Sequence, residues 1–192
     1  MLRMDNELFI TNRHLCQGDF LKTLDRLAEL RPRGIILREK DLTEGEYLDL
    51  AKQALTICAR HGTPCILHTF AQAALALGHP FIHLPMPELR NMLERHRRWF
   101  RVLGASCHSV EEALEAVALG CTYLTAGHIF PTACKPNVPA RGVGFLKAVC
   151  QAVRVPVYAL GGITPENRPL VMAVGAAGVA VMSGALRLLS DG

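Results

Sequence analysis

Four of the chain's eight histidines, His68, His83, His108 and His128, stand in or directly after short apolar runs. Imidazole titrates near neutrality, so a histidine placed at the end of a strand is a candidate to hold or move a proton. His128 opens "TAGHIFPTACKPNVPARG", Thr125 to Gly142, a stretch with neither a helical nor a strand period. Connections of that length inside a compact domain are either functional or disordered. Prolines and glycines stiffen this one, and it carries chemistry along its length. His128 is therefore read as the catalytic proton carrier. Cys134 is a candidate nucleophile, although no neighbouring feature activates its thiol. Lys135 and Arg141 are candidate anion clamps, and Gly142 closes the loop on the substrate side. His68 and His108 are read as substrate-binding, whereas His83, inside "FIHL", either fills the interior or joins them.

A second group of residues is suited to phosphate. "GGIT" offers Gly161 and Gly162, and "SGAL" offers Ser183 and Gly184, each after an apolar run and before a helical one. Exposed backbone N–H groups at helix starts bind anions. The alternative is that these glycines only make tight turns. Arg38 and Lys40 follow "GIIL", and Ser106 precedes His108; all are expected to touch substrate.

The elements that must position these residues are legible in the pattern. Short apolar runs read as strands at 8–11, 34–37, 65–67, 81–84, 101–106, 123–127, 155–160 and 178–182. Amphipathic stretches lie between them. In "TEGEYLDLAKQALTICARHG", Leu48, Ala51, Leu55 and Cys58 recur every three or four residues. Thr43 and Glu46 fit a capping box, and Gly62 ends the helix. "SVEEALEAVALG" repeats the scheme with Ser109, Glu112 and Gly120. Near-continuous apolar strands alternating with helices imply a parallel sheet covered on its faces, and eight such units imply a (β/α)8 TIM barrel. The expected architecture is one compact α/β domain over residues 1–192 with a short last helix. In such a barrel the chemistry sits at the C-terminal strand ends.

Composition narrows the function classes. Half of the 192 residues are hydrophobic and the net charge is +4, scattered along the chain. The densest basic run, "RHRRW", reads as a solvated helix end, so no nucleic-acid partner is expected. The start of the chain shows no signal-type apolar core. The uncharged run "PLVMAVGAAGVAVMSGAL" is divided by Gly175 and Gly178, so no membrane partner is expected. Seven cysteines without a CxxC pair argue against a disulfide framework or structural zinc site and for a reduced, cytoplasmic protein.

"REKDL", "GASCHSVEEALEA", "YLTAGHIFPTACK", "ALGGITPEN" and "GVAVMSGAL" together resemble the thiamine phosphate synthase and TenI superfamily, across almost the whole chain. The resemblance implies a (β/α)8 barrel. Against the synthase motif "QxRxK", Arg38 and Lys40 remain and Ile36 stands where the pyrimidine-gripping glutamine belongs. The "ND" pair, whose aspartate binds magnesium, matches His68 and Thr69. "HxGQxD" matches "HLPMPE", with Pro85, Met86 and Glu88 at the changed positions. The loop "GHIFPTACK" departs from the synthase form "GPIFPTxTK" toward the TenI-type thiazole tautomerases.

The resemblance therefore implies a cofactor-free isomerase that aromatises a carboxythiazole phosphate, with His128 shuttling the proton. Gly161, Gly162, Ser183 and Gly184 would hold the phosphate. Arg38, Lys40 or Lys135 would meet the substrate carboxylate. The expected partners are a small-molecule thiazole phosphate and further copies of the chain in a homo-oligomer. One alternative is a divergent thiamine phosphate synthase, a transferase joining a pyrimidine diphosphate to a thiazole phosphate with magnesium. The other is a non-catalytic, ligand-binding or regulatory barrel.

Overall fold

The computed structural model describes residues 4–132 and 138–189. Its strands are β1 (Met4–Ile10), β2 (Pro32–Leu37), β3 (Cys65–His68), β4 (Phe81–Pro85), β5 (Val102–Cys107), β6 (Tyr123–Gly127), β7 (Val157–Leu160) and β8 (Gly178–Val181). They follow one another in chain order and close into a parallel barrel, the (β/α)8 fold that the alternation implied. The helices are α1 (Phe20–Glu29), α2 (Glu44–His61), α3 (Ala71–Ala76), α4 (Met86–Asn91), α5 (Glu94–Trp99), α6 (Val110–Ala118), α7 (Gly142–Ala152), α8 (Arg168–Ala173) and α9 (Ser183–Arg187). The last is as short as expected.

Local chemistry explains where the elements begin and end. Every residue of β3 and of β6 is buried, which is why these strands read as continuous apolar runs rather than as alternations. Thr43 and Glu46 form a complete capping box at the start of α2, and Gly62 ends that helix at φ 67°. Ser109 caps α6 by accepting from the Glu112 N–H at 3.1 Å. The Glu112 carboxylate reaches one residue further back than a capping box requires and accepts from the His108 N–H at 2.7 Å. The basic run falls on α5, where His96, Arg97 and Arg98 make up the last turn, as a solvated helix end would.

Within the barrel the described residues group into two compact units, one reaching to Ile82 and resuming at Val181, the other running from His83 to Ala180. In the first, Phe9, Leu24, Ile35, Leu37, Leu67 and Tyr47 are fully buried. The Tyr47 hydroxyl donates to the Leu37 carbonyl at 2.7 Å and accepts from the His68 N–H at 2.8 Å. In the second, Leu84, Leu89, Leu103 and Leu124 form the core. Among the described residues no helix is long and apolar enough to cross a membrane. The uncharged run near the end is divided between α8, β8 and α9, with Gly175 at φ 101° making the turn.

Candidate functional site

In the first unit, the residues after β2 are held by a buried carboxylate that sequence reasoning passed over. Glu39 is 2% exposed and lies between the half-buried Arg38 and the exposed Lys40. Thr11 donates its hydroxyl to Glu39 at 2.6 Å and accepts the Arg38 N–H at 3.0 Å. The Arg13 N–H donates to both Glu39 oxygens, at 3.0 and 3.1 Å. The Arg13 guanidinium lies 3.3 Å from Glu39 and forks onto both oxygens of Asp41, one of them at 2.7 Å. His14 adds a contact to Asp41 at 2.9 Å. Arg13 and His14 together hold the Asp41 carboxyl well below the usual carboxylate range. The network ties the loop after β1 to the segment carrying Arg38 and Lys40. The signal for it was an acidic residue in the middle of "REK".

His68 ends β3 and is buried, with its Nδ1 2.6 Å from the Thr69 hydroxyl. Thr69 stands at the first of the two positions where the resemblance implies a magnesium-binding carboxylate, and Glu88, at the second, is exposed in the first turn of α4. Magnesium takes hard oxygen ligands, chiefly carboxylates. An imidazole and a hydroxyl bonded to each other do not supply them. Among the described residues no three of His, Cys, Asp and Glu cluster to hold a metal. The residues present do not fit the magnesium site of the motif. Ile36, where the motif has glutamine, is 1% exposed in the core. In the same unit Ser183 begins α9 and is exposed. A Cβ on Gly184 would meet nothing closer than Val181 at 3.5 Å.

In the second unit, His83 sits at the centre of a buried polar chain. Its Nδ1 is 2.8 Å from the Tyr123 hydroxyl and its Nε2 is 2.8 Å from the Ser106 hydroxyl. Thr125 donates to Ser106 at 3.2 Å. Burial pushes the Tyr123 phenol well above its ordinary range, so it stays a neutral hydrogen-bonding group. Gly104 makes the room, because a Cβ there would lie 2.2 Å from the Tyr123 ring and 2.6 Å from His83 Nδ1. His83 thus fills the interior and also fixes Ser106. Tyr123 and Thr125 were missed because a strand tyrosine and threonine look like ordinary β-formers.

His128 is 4% exposed and its Nε2 lies 3.0 Å from the Val138 carbonyl, across the base of the long loop. The same loop is tied by Arg141 N–H to His128 O and Gly142 N–H to Ile129 O, both at 3.0 Å. His108 Nδ1 and Arg141 Nε both donate to the Gly127 carbonyl, at 2.7 and 3.2 Å. Gly161 and Gly162 have φ 96° and 65°, and each lies against this loop. A Cβ on Gly161 would come within 2.2 Å of His128 Cβ, and one on Gly162 within 2.4 Å of the Pro131 carbonyl. Loop packing alone therefore requires glycine at both positions. Cys134 and Lys135 lie outside the described residues. Burial pushes the Cys107 and Cys121 thiols up to about 12, which makes them poor nucleophiles.

A family model described as thiamine monophosphate synthase matches residues 7–185. Thiamine-phosphate synthase 2 of Streptococcus pneumoniae is 36% identical over 179 residues, covering 90% of this chain and 83% of that protein. A protein of Salinispora arenicola named thiamine-phosphate synthase is 38% identical over 149 residues, covering 74% of this chain and 70% of its own length. Among solved structures, thiamine phosphate pyrophosphorylase from Pyrococcus furiosus superposes with a TM-score of 0.80 at 26% identity, covering 98% of this chain and 96% of that one.

These relatives overturn the expected isomerase. Their names are those of transferases, and none of the three is named as a thiazole tautomerase. The isomerase reading leaned on His128 and Cys134 in one loop and on the departures from the synthase motifs at Ile36, Thr69, Pro85 and Met86, against a correspondence that runs the length of the chain. The proton shuttle drawn for His128 belonged to that reaction. In the structure the His128 Nε2 meets the Val138 carbonyl at 3.0 Å.

Proposed function

The chain belongs to the thiamine monophosphate synthase family, and from that premise we propose that it is a thiamine-phosphate synthase. It would join a pyrimidine diphosphate to a thiazole phosphate. The bond from the pyrimidine's methylene carbon to the diphosphate oxygen breaks, a bond from that carbon to the thiazole nitrogen forms, and pyrophosphate leaves. One observation carries the reading: a protein named for this activity aligns with 90% of the chain at 36% identity. The proposal takes residues 1–192 as one catalytic domain.

The chain's own residues suggest how the charge is met. Pyrophosphate departure concentrates negative charge, and fixed cations stabilise it best when they need not reorganise. Arg38 and Lys40 are the cations for this task, because Glu39 and Thr11 fix the backbone between them. His68 contacts substrate at the end of β3. In the second unit Ser106, oriented by His83, offers a hydroxyl of fixed direction. His108 and Gly142 support the loop that Gly161 and Gly162 pack against. Ser183 and Gly184 offer backbone N–H groups to a phosphate. No step is assigned to magnesium, since the residues at its motif do not suit it. Both substrates are small phosphorylated molecules that do not cross lipid unaided, which favours the cytoplasm as the place of reaction.

The test is direct. Purified protein is given both substrates, and thiamine phosphate and pyrophosphate are measured together. Equal formation of the two supports the reading, and formation of neither contradicts it.

A further inference from the structure

Thr69 occupies φ 67°, in the left-handed region where a β-branched side chain crowds its own backbone. Among the described residues Arg31 is the other non-glycine with positive φ, at 50°, just after α1, and its side chain is not β-branched. Glycine would suit the Thr69 backbone without strain, so the threonine side chain has to be explained.

The surrounding structure holds the strain in place. The Phe70 N–H bonds to the His68 carbonyl at 2.8 Å and the Ala71 N–H to the Thr69 carbonyl at 2.9 Å, two successive three-residue turns. Both neighbours of Thr69 are clamped on one buried tyrosine. His68 donates its N–H to the Tyr47 hydroxyl at 2.8 Å, and the Phe70 ring stacks on the Tyr47 ring at 4.2 Å. Tyr47 is itself anchored to the Leu37 carbonyl. Between these clamps the Thr69 hydroxyl is placed 2.6 Å from His68 Nδ1. Strain held by surrounding structure clusters where function needs a fixed group.

We propose that Thr69 is a positioning residue: its hydroxyl, held by the strained turn, fixes the ring plane of His68 for contact with substrate. This rests on the synthase reading and on His68 as a substrate contact. It also accounts for the chemistry at the motif's metal position, where a hydroxyl and an imidazole serve each other in place of a carboxylate serving an ion.

The test compares Thr69→Gly, which removes strain and hydroxyl together, with Thr69→Ser, which keeps the hydroxyl. Melting temperature, kcat and KM are measured for each with both substrates. The expected result is that Thr69→Gly melts at or above the parent temperature while kcat/KM falls by about 10–100-fold, the scale of a misplaced contact. Thr69→Ser should stay within about threefold of the parent, as a retained hydrogen bond requires. A Thr69→Gly variant with parent-like turnover overturns the inference, and so does one that melts well below the parent, since Thr69 would then be structural. A parent protein without turnover would remove the synthase reading instead. The inference is then decided by the His68 ring nitrogens in 15N NMR. One set of ring signals in the parent and exchange-broadened ring signals in Thr69→Gly support it, and identical spectra overturn it.

Discussion

The Nε2 of His128 lies 3.0 Å from the Val138 carbonyl oxygen, and a carbonyl only accepts, so this ring nitrogen carries the proton and donates it. The bond spans the base of the loop that begins at β6. His128→Ala should therefore act first on stability, because it strands a carbonyl acceptor and opens a gap at a buried site. The expected loss is about 1–3 kcal/mol, measured by denaturant titration. Unchanged stability would show that the loop closes without this bond.

Two glycines separate packing from ligand binding. Gly162 is at φ 65° with the Pro131 carbonyl 2.4 Å from where a Cβ would sit. Gly162→Ala should cost on the order of 1–3 kcal/mol of stability whether or not a phosphate binds there. Gly184 has room, with Val181 3.5 Å away, so Gly184→Ala should leave the melting temperature nearly unchanged. If its N–H approaches the substrate phosphate, the apparent KM for the thiazole phosphate rises. An unchanged KM in a folded Gly184→Ala protein would remove this residue from the phosphate contacts.

Much of this arrangement was legible in the sequence. The strand at 123–127 was placed to the residue and the others to within a few, because fully buried parallel strands leave uninterrupted apolar runs. The α2 capping box was readable because its two partners lie three residues apart. The Glu39 network was not, since Thr11, Arg13 and Asp41 converge on one place from two strand ends with no spacing rule to link them. Nor was the reason for Gly161 and Gly162, which depends on a loop some thirty residues earlier in the chain. The branch of the family was misread for a related reason. Local differences at Ile36, Thr69, Pro85, Met86, His128 and Cys134 were given more weight than the correspondence of the whole chain.

The Asp41 carboxylate gives a pH dependence with a definite sign. Its pKa in the folded protein is depressed by the hydrogen bonds from Arg13 and His14. A carboxylate of this kind adds stability above its unfolded pKa, about 3.9, and loses it as pH falls through the lower folded value. The acid limb of the parent's stability curve should therefore fall below about pH 4, and Asp41→Asn should flatten part of that fall. Superimposable acid limbs in parent and variant would show that the Arg13 fork adds nothing to folding.

The proposed reaction is a transfer, and its most direct measurement is product stoichiometry. With a pyrimidine diphosphate and a thiazole phosphate supplied together, the protein should form thiamine phosphate and pyrophosphate in equal amounts. Arg38→Ala and Lys40→Ala should each slow that formation while leaving the melting temperature close to the parent's, since one side chain is half-buried and the other exposed. No thiamine phosphate from the parent protein, or rearrangement of a thiazole phosphate without release of pyrophosphate, would contradict the account.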